Sequence, residues 1–180
     1  MFSLLKIAVG IQILDVCNDD VLEKILVPTD GSHPSDRALQ YAINLAKISG
    51  KSQIMLVHVL KEWWLPMGFT GNGKFISVKT GKKITEKEFT KELIQTLETK
   101  AKESMETQTK SYRTSGVVIK NIVLIGRPSV KIVEFAEKEK VDLIVMGTTS
   151  RKGIIARIGA IGSTSRNVLE STLVPVTLIH

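Results

Sequence analysis

The residues best suited to chemistry lie in two short stretches that are rich in glycine, hydroxyl groups and positive charge. The first runs from residue 147 to 153 (GTTSRKG), directly after an apolar run, and the second is Gly162-Ser163-Thr164. Hydroxyl groups, basic side chains and the free backbone N–H groups of a helix N-terminus are donors that bind phosphate. If a helix opens at Ser163, the two stretches form a phosphate-binding loop between a strand and that helix.

Polar residues also follow earlier apolar runs in the chain. Thr29 and Asp30 come directly after one such run, and Val59 closes another. In a parallel sheet, ligands bind outside the carboxyl ends of the strands, where the strand order reverses. We therefore expect a nucleotide with its base near Asp30 and Val59 and its phosphates near residues 147–164. Taken singly, Asp30-Gly31-Ser32 also fits an ordinary turn and helix cap, so both interpretations stay open.

Length and composition restrict the class of protein. The chain has 180 residues, of which 43% are hydrophobic and 24% charged, and this suits one globular domain with a substantial core. The net charge of +7 suits an anionic ligand. No nucleic-acid recognition motif accompanies that charge, so specific nucleic-acid binding is not expected. The single cysteine, Cys17, excludes an intramolecular disulfide and indicates a reducing, cytoplasmic setting.

Residues 1–22 form an N-terminal extension whose structure the sequence leaves open. The stretch is apolar but is interrupted at Lys6, Gln12 and Asp15, so it is too short to span a bilayer. It also lacks the small-residue cleavage site of a signal peptide. We expect that this stretch forms an added strand or a helix, or that the translation start was assigned incorrectly. We expect no membrane association.

Apolar runs and helical periodicity alternate along the rest of the chain. Strands are predicted over 24–28, 53–60, 117–125, 141–146 and 174–179. Helices are predicted from 32 or 33 to 50, from 85 to about 112, from 128 onward and from 163 to about 171. Thr85 with Glu88 predicts a capping box at the start of the second helix. This alternation is typical of an α/β fold, with a parallel sheet, right-handed crossovers and helices on both faces.

Residues 63–84 depart from the alternation and predict an insertion within a domain that spans 23–180. The segment holds both tryptophans, which would be costly to leave in water. Two parts of it, 75–78 and 82–84, could pair as a small hairpin.

Four segments, in order along the chain, resemble the universal stress protein family. They are Lys24–Ser32 (KILVPTDGS), Leu56–Val59 (LVHV), Val141–Gly147 (VDLIVMG) and Gly162–Val168 (GSTSRNV), and the resemblance covers roughly residues 23–180. It implies a flavodoxin-like, Rossmann-type sheet of five parallel strands in the order 3-2-1-4-5. It also implies a homodimer formed through the last strand, Val174–Ile179, and, in one branch of the family, ATP binding.

In that branch an aspartate follows the first strand, and the backbone of a valine at the end of the second strand meets the adenine. The resemblance assigns these roles to Asp30 and Val59. The ribose and phosphates are held by a motif of Gly, two residues, Gly, nine residues, then Gly-Ser or Gly-Thr.

This glycine motif matches at its two ends but not in its middle. Gly147 takes the first place and Gly162-Ser163 the last, while Ser150 stands where the second glycine is expected. Either the loop has gained two residues, or Gly153 has taken over the second place. Arg151 adds positive charge that favours a triphosphate.

The sequence therefore predicts a stress-response regulator that binds ATP or another adenine nucleotide, with or without Mg²⁺, and acts as a dimer. The alternative is a universal stress protein that does not bind nucleotide and serves as a dimeric protein-interaction module. We expect no catalysis beyond slow hydrolysis of bound ATP, because the chain has no P-loop motif and no arrangement typical of a catalytic triad. The predicted nucleotide-binding residues are Pro28, Thr29, Asp30, Val59, Met146, Gly147, Thr148, Ser150, Arg151, Gly153, Gly162, Ser163 and Thr164.

Overall fold

The computed structural model describes residues 22–61, 75–77, 79–148 and 161–180. The strands within these ranges are β1 (Lys24–Thr29), β2 (Gln53–Leu60), β3 (Phe75–Ile76), β4 (Lys83–Ile84), β5 (Val118–Ile125), β6 (Leu143–Gly147) and β7 (Val176–Ile179). The helices are α1 (His33–Ser49), α2 (Glu86–Thr109), α3 (Pro128–Glu139) and α4 (Ser163–Ser171). A single 3₁₀ turn, Lys110–Tyr112, follows α2 directly.

Five of these strands form one parallel sheet in the order β5-β2-β1-β6-β7. The expected α/β class with a five-stranded parallel sheet is confirmed. Numbered along the whole chain, the order differs from 3-2-1-4-5, because β3 and β4 pair in a separate antiparallel hairpin. Counted without that hairpin, the large sheet runs third, second, first, fourth and fifth strand.

Helices cover both faces of the sheet, which explains why its central strands are apolar on both sides. On one face, α1 and Met105 of α2 pack on Ile25 and Val27 of β1. On the other face, α3 and α4 pack on residues that include Leu26 and Met146. The carboxyl ends of β1, β2 and β6 remain uncovered at one edge of this sandwich.

Local signals set the ends of α1 and α2. Ser32 is the N-cap residue of α1, one of the two that the sequence allowed, and Gly50 ends the helix with a φ of 72°. Thr85 and Glu88 form the predicted capping box at the start of α2. The Oε2 atom of Glu88 accepts from the Thr85 backbone N–H at 2.8 Å, and the Glu88 N–H donates to Thr85 Oγ1 at 3.3 Å.

Two strands begin two residues later than their apolar runs predict. Strand β6 begins at Leu143 rather than residue 141, and β7 begins at Val176 rather than residue 174. Asp142 instead holds the start of β1, because its Oδ2 atom accepts from the backbone N–H groups of Glu23 at 2.9 Å and Lys24 at 2.8 Å. A hydrophobic pattern cannot reveal such a contact between distant segments.

The predicted hairpin is present as the short pair β3 and β4. It packs on α2, since the rings of Phe75 and Phe89 lie 5.2 Å apart and Ser77 Oγ donates to Glu92 Oε1 at 2.9 Å. The rest of the predicted insertion (62–74 and residue 78) and residues 1–21 of the predicted extension lie outside the described residues. In the described part of the chain, no helix combines the length and apolarity that crossing a membrane requires.

Candidate functional site

A cavity of about 480 Å³ opens at the uncovered edge of the sheet. Its walls come from the ends of β1, β2 and β6, from the loops that follow them, and from the starts of α3 and α4. Small-molecule sites in proteins commonly occupy about 300–1,000 Å³ at such a position in α/β folds. The cavity is therefore large enough for a nucleotide-sized ligand.

All ten predicted site residues that the structure describes line this cavity. They are Pro28, Thr29, Asp30, Val59, Met146, Gly147, Thr148, Gly162, Ser163 and Thr164. The other three, Ser150, Arg151 and Gly153, lie outside the described residues, so the choice between Ser150 and Gly153 stays a prediction. Residues separated by up to 136 positions in the chain are brought together because parallel strands end at one edge.

Sequence reasoning missed several lining residues. His58 and Lys61 flank the end of β2, and their position beside Val59 was a usable signal. Pro128 and Ile132 come from the start of α3, which follows a strand that sequence reasoning left out of the site. Leu97 comes from the middle of α2, where its apolar spacing predicts only a packed face, because the tilt of that helix over the cavity depends on tertiary packing.

The start of α4 presents backbone donors to the cavity. Its N-cap residue is Gly162, which has no side chain to cap the first turn, and Ser163 and Thr164 follow it. The first N–H groups of a helix lack acceptors within the helix and carry the positive end of its dipole. The Ser165 hydroxyl donates to the Gly147 carbonyl at 3.0 Å and so joins this helix start to the end of β6. The arrangement suits an anion.

Gly147 has a packing role that the sequence did not show. A Cβ atom at this position would lie 2.6 Å from the backbone carbon of Pro34 and 2.7 Å from its oxygen. The start of α1 therefore packs directly against the end of β6. A glycine is required here by the close contact with α1, in addition to its place in the cavity wall.

Asp30 lies at the exposed rim of the cavity. Its Oδ1 atom accepts from the Ser32 backbone N–H at 3.0 Å. Partial burial of the carboxyl raises its pKa, but hydrogen bonds from the side chain and backbone of Ser32 and from Ser35 outweigh that effect, so the pKa of Asp30 is lowered overall. The side chain is consequently an ionised acceptor at neutral pH.

His58 joins the ends of β1 and β2. Its Nδ1 atom lies 2.9 Å from the carbonyl oxygen of Thr29. A carbonyl oxygen can only accept, so the proton is on Nδ1 and, in the neutral ring, Nε2 is an acceptor. No group of three histidine, cysteine or acidic side chains in the described ranges is arranged to hold a metal ion.

Comparison with known proteins identifies the family. The model of the universal stress protein family matches residues 22–180. The chain belongs to the universal stress protein family. The two ends of its glycine motif, Gly147 and Gly162-Ser163, both line the cavity of this universal stress protein domain.

Curated relatives support the same assignment. This universal stress protein is 33% identical over 162 residues to universal stress protein MJ0531 of Methanocaldococcus jannaschii, covering 89% of this chain and 84% of the relative. It is 30% identical over 165 residues to universal stress protein MJ0577 of the same organism, covering 87% of this chain and 94% of the relative.

Solved structures share the fold. The hypothetical protein MJ0577 superposes with a TM-score of 0.66 at 28% identity, covering 88% of this chain and 96% of that one. A universal stress protein in complex with cAMP gives a TM-score of 0.56 at 20% identity, covering 89% and 98% of the two chains. The universal stress protein from Archaeoglobus fulgidus in complex with dAMP gives a TM-score of 0.55 at 24% identity, covering 89% of this chain and 99% of that one.

Proposed function

We propose that this universal stress protein binds an adenine nucleotide, ATP in the first place, in the cavity at the carboxyl ends of β1, β2 and β6, and acts as a dimeric stress-response regulator. The observation that carries the proposal is the convergence of ten separately predicted residues on that one cavity. The structures with cAMP and dAMP indicate that this fold can hold an adenine nucleotide. Binding, with at most slow hydrolysis of ATP, is the proposed activity.

The phosphates would lie at the start of α4. The N–H groups of Ser163 and Thr164 are donors at this end of the cavity, and Thr148, whose hydroxyl lies 3.1 Å from His180 Nδ1, also lines it. Backbone donors and a helix dipole stabilise a phosphate without a P-loop lysine. Any Mg²⁺ would then be bound mainly by the phosphate oxygens, because the described residues form no metal cluster of their own.

The base would lie near the end of β2, where one carbonyl lacks its expected partner strand. The β1–β2 register ends at Thr29 and His58, and the alternation of the ladder turns the Val59 carbonyl toward β1. The N–H group that would continue the ladder belongs to Gly31, which donates to Thr29 Oγ1 at 3.2 Å instead. The Val59 carbonyl is therefore available to accept from the amino group of adenine.

The sugar would lie near Asp30. Its ionised carboxylate is an acceptor for ribose hydroxyl groups, and the Ser32 N–H holds one of its oxygens in place. Hydrogen bonds to a charged partner contribute about 1.5–3 kcal/mol each. Asp30 is thus the side chain whose loss should affect affinity most.

The proposed dimer forms through β7, which lies at one edge of the sheet. An apolar strand edge left open is a site for uncontrolled association, and pairing with a second copy would satisfy it.

Titration calorimetry with Mg-ATP and with AMP tests the nucleotide proposal. We expect saturable binding by the wild-type protein and an affinity about 10- to 100-fold lower for Asp30→Asn, since one charge-assisted bond is lost. Asp142→Asn is the matched control: this aspartate holds the opposite end of β1, so its substitution should lower stability but not affinity.

Absence of heat with both nucleotides at millimolar concentration would contradict the proposal. That result would favour the alternative, a dimeric interaction module that does not bind nucleotide. Equal affinity of the wild-type protein and Asp30→Asn would retain a nucleotide site but remove Asp30 from it.

A further inference from the structure

Thr29 lines the cavity, but its hydroxyl and carbonyl are hydrogen-bonded to other groups of the protein. It is 7% exposed. Its carbonyl accepts from His58 Nδ1 at 2.9 Å, and its hydroxyl accepts from the Gly31 N–H at 3.2 Å. The same hydroxyl donates to Gln108 Oε1 at 3.3 Å and lies 3.2 Å from Ser35 Oγ. Its donor and acceptor positions are therefore occupied before any ligand enters.

Gln108 reaches this loop from a distant part of the chain. It is half-buried near the end of α2 and is absent from the lining of the cavity. Besides accepting from Thr29, its Nε2 atom donates to Oδ1 of Asp36, in the first turn of α1. One side chain thus holds both ends of the loop that carries Asp30.

The orientation of the Gln108 amide is determined by these partners. The Asp36 carboxylate can only accept, so it must face the NH₂ group, and the amide oxygen must face the Thr29 hydroxyl. The reverse orientation would place the amide oxygen against a carboxylate. The Thr29 hydroxyl hydrogen is directed to Gln108 or to Ser35 Oγ, 3.2 Å away, and in both cases the Thr29 oxygen remains an acceptor for the Gly31 N–H.

Packing does little to hold the first residues of this loop. Asp30 and Gly31 are exposed, and the space where a Cβ of Gly31 would lie has no atom within 4 Å. Gly31 also has a φ of 75°, which glycine adopts without steric cost, so its own backbone preference does not restrict the loop to one conformation. Local rigidity there depends on polar contacts rather than on burial.

We infer that Gln108 is a positioning residue for the nucleotide site: from outside the cavity it fixes the loop that carries Asp30 and keeps the Gly31 N–H away from the Val59 carbonyl. This inference rests on the proposed function for its effect on ligand affinity. Its effect on the loop itself does not require a ligand. Helix α2 would in this way set the geometry of a site to which it supplies only Leu97.

The first experiment compares Gln108→Leu with a matched control, Gln95→Leu. Gln95 lies on the same helix, but its Oε1 atom accepts from Lys79 Nζ at 3.3 Å, beside the hairpin. We expect the AMP affinity of Gln108→Leu to fall about three- to tenfold, as for the loss of one or two hydrogen bonds. Gln95→Leu should bind as the wild-type protein does.

A second measurement follows the loop without any ligand. Hydrogen exchange of the Gly31 and Ser32 amides should become faster in Gln108→Leu, while amides in the centre of β1 keep their protection. A variant that merely lowers global stability would accelerate both sets alike, and that result would overturn the inference.

A double-mutant cycle completes the test. If Gln108 acts through Thr29, Gln108→Leu and Thr29→Val together should weaken AMP binding about as much as the stronger single variant does. Additive losses, or unchanged affinity and loop exchange in Gln108→Leu, would overturn the inference. If the wild-type protein binds no nucleotide, the proposed function fails, and the exchange of Gly31 and Ser32 still decides whether Gln108 holds the loop.

Discussion

Gly147 shows at the scale of one residue how a family motif and a packing requirement coincide. The resemblance to the family motif predicts a glycine here for nucleotide binding. The structure adds the contact with Pro34, whose backbone leaves no room for a Cβ atom. Since the obstacle is backbone rather than a flexible side chain, a larger residue must displace the start of α1 and with it the loop that carries Asp30.

Gly147→Ala should therefore lower both stability and ligand affinity. We expect a loss of about 1–3 kcal/mol in the free energy of unfolding, as for overpacking at a tight contact, together with weaker AMP binding. Denaturant unfolding and calorimetry would measure the two effects.

Gly50→Ala is the control for that experiment. Gly50 has a φ of 72° and open space around it, so alanine there costs stability through backbone strain alone. It ends α1, at the other end of the helix from the cavity, and AMP affinity should not change. If Gly147→Ala is as stable as the wild-type protein, the contact with Pro34 does not require glycine at this position.

At the scale of an element, helix α2 shows which features local sequence determines and which depend on tertiary packing. Its start follows from sequence, because Thr85 and Glu88 satisfy each other's backbone groups whatever surrounds them. Its apolar residues recur at helical spacing (Phe89, Leu93, Leu97, Ala101 and Met105) and predict a packed face, and Ala101 and Met105 are buried. Its contact with the β1 loop through Gln108 follows from neither signal, because it depends on where the helix crosses the sheet.

Thr85→Ala tests the cap. The substitution should lower the free energy of unfolding by about 1 kcal/mol, since the helix loses its N-cap acceptor. Thr85→Ser keeps the hydroxyl and should retain most of the stability. Equal stability of the alanine and serine variants in denaturant unfolding would show that the box contributes nothing.

The same cap should respond to acid. Hydrogen bonds from the Thr85 backbone and side chain lower the pKa of Glu88 below its ordinary value of 4.5. A lowered folded-state pKa stabilises the protein above the unfolded-state pKa, and the contribution disappears as the pH falls through the folded value. The stability difference between wild type and Thr85→Ala should therefore shrink below about pH 4.5.

At the scale of the whole molecule, β7 forms an open edge of the sheet, where backbone groups on its outer side are not paired with another strand of that sheet. The backbone oxygens of Pro175 and Ile179 accept from β6 and its following residue, at 2.9 Å each. Because alternate residues of a strand direct their backbone groups to opposite sides, those of Val176 and Leu178 point away from the sheet. In the proposed dimer, a second copy of β7 would pair with these outward groups.

Leu178→Pro removes one of those outward N–H groups and should shift the protein toward a monomer. Sedimentation equilibrium at micromolar concentration would measure the change, with circular dichroism to verify folding. Ile119→Pro places a proline at an outward position of β5, the opposite edge, and should leave the dimer intact. A monomeric wild-type protein, or a dimeric Leu178→Pro variant, would contradict the proposed interface.

The sequence by itself determined the class of the fold and most element boundaries, and it predicted ten of the residues that line the cavity. These are consequences of local hydrophobic pattern, turn chemistry and a family motif, which nearby residues encode. Only the tertiary structure decided that Leu97 lines the cavity, that Gly147 contacts Pro34 and that Gln108 holds the Asp30 loop. Each of these joins segments far apart in the chain, and their meeting depends on how helices cross the sheet, which no local pattern specifies.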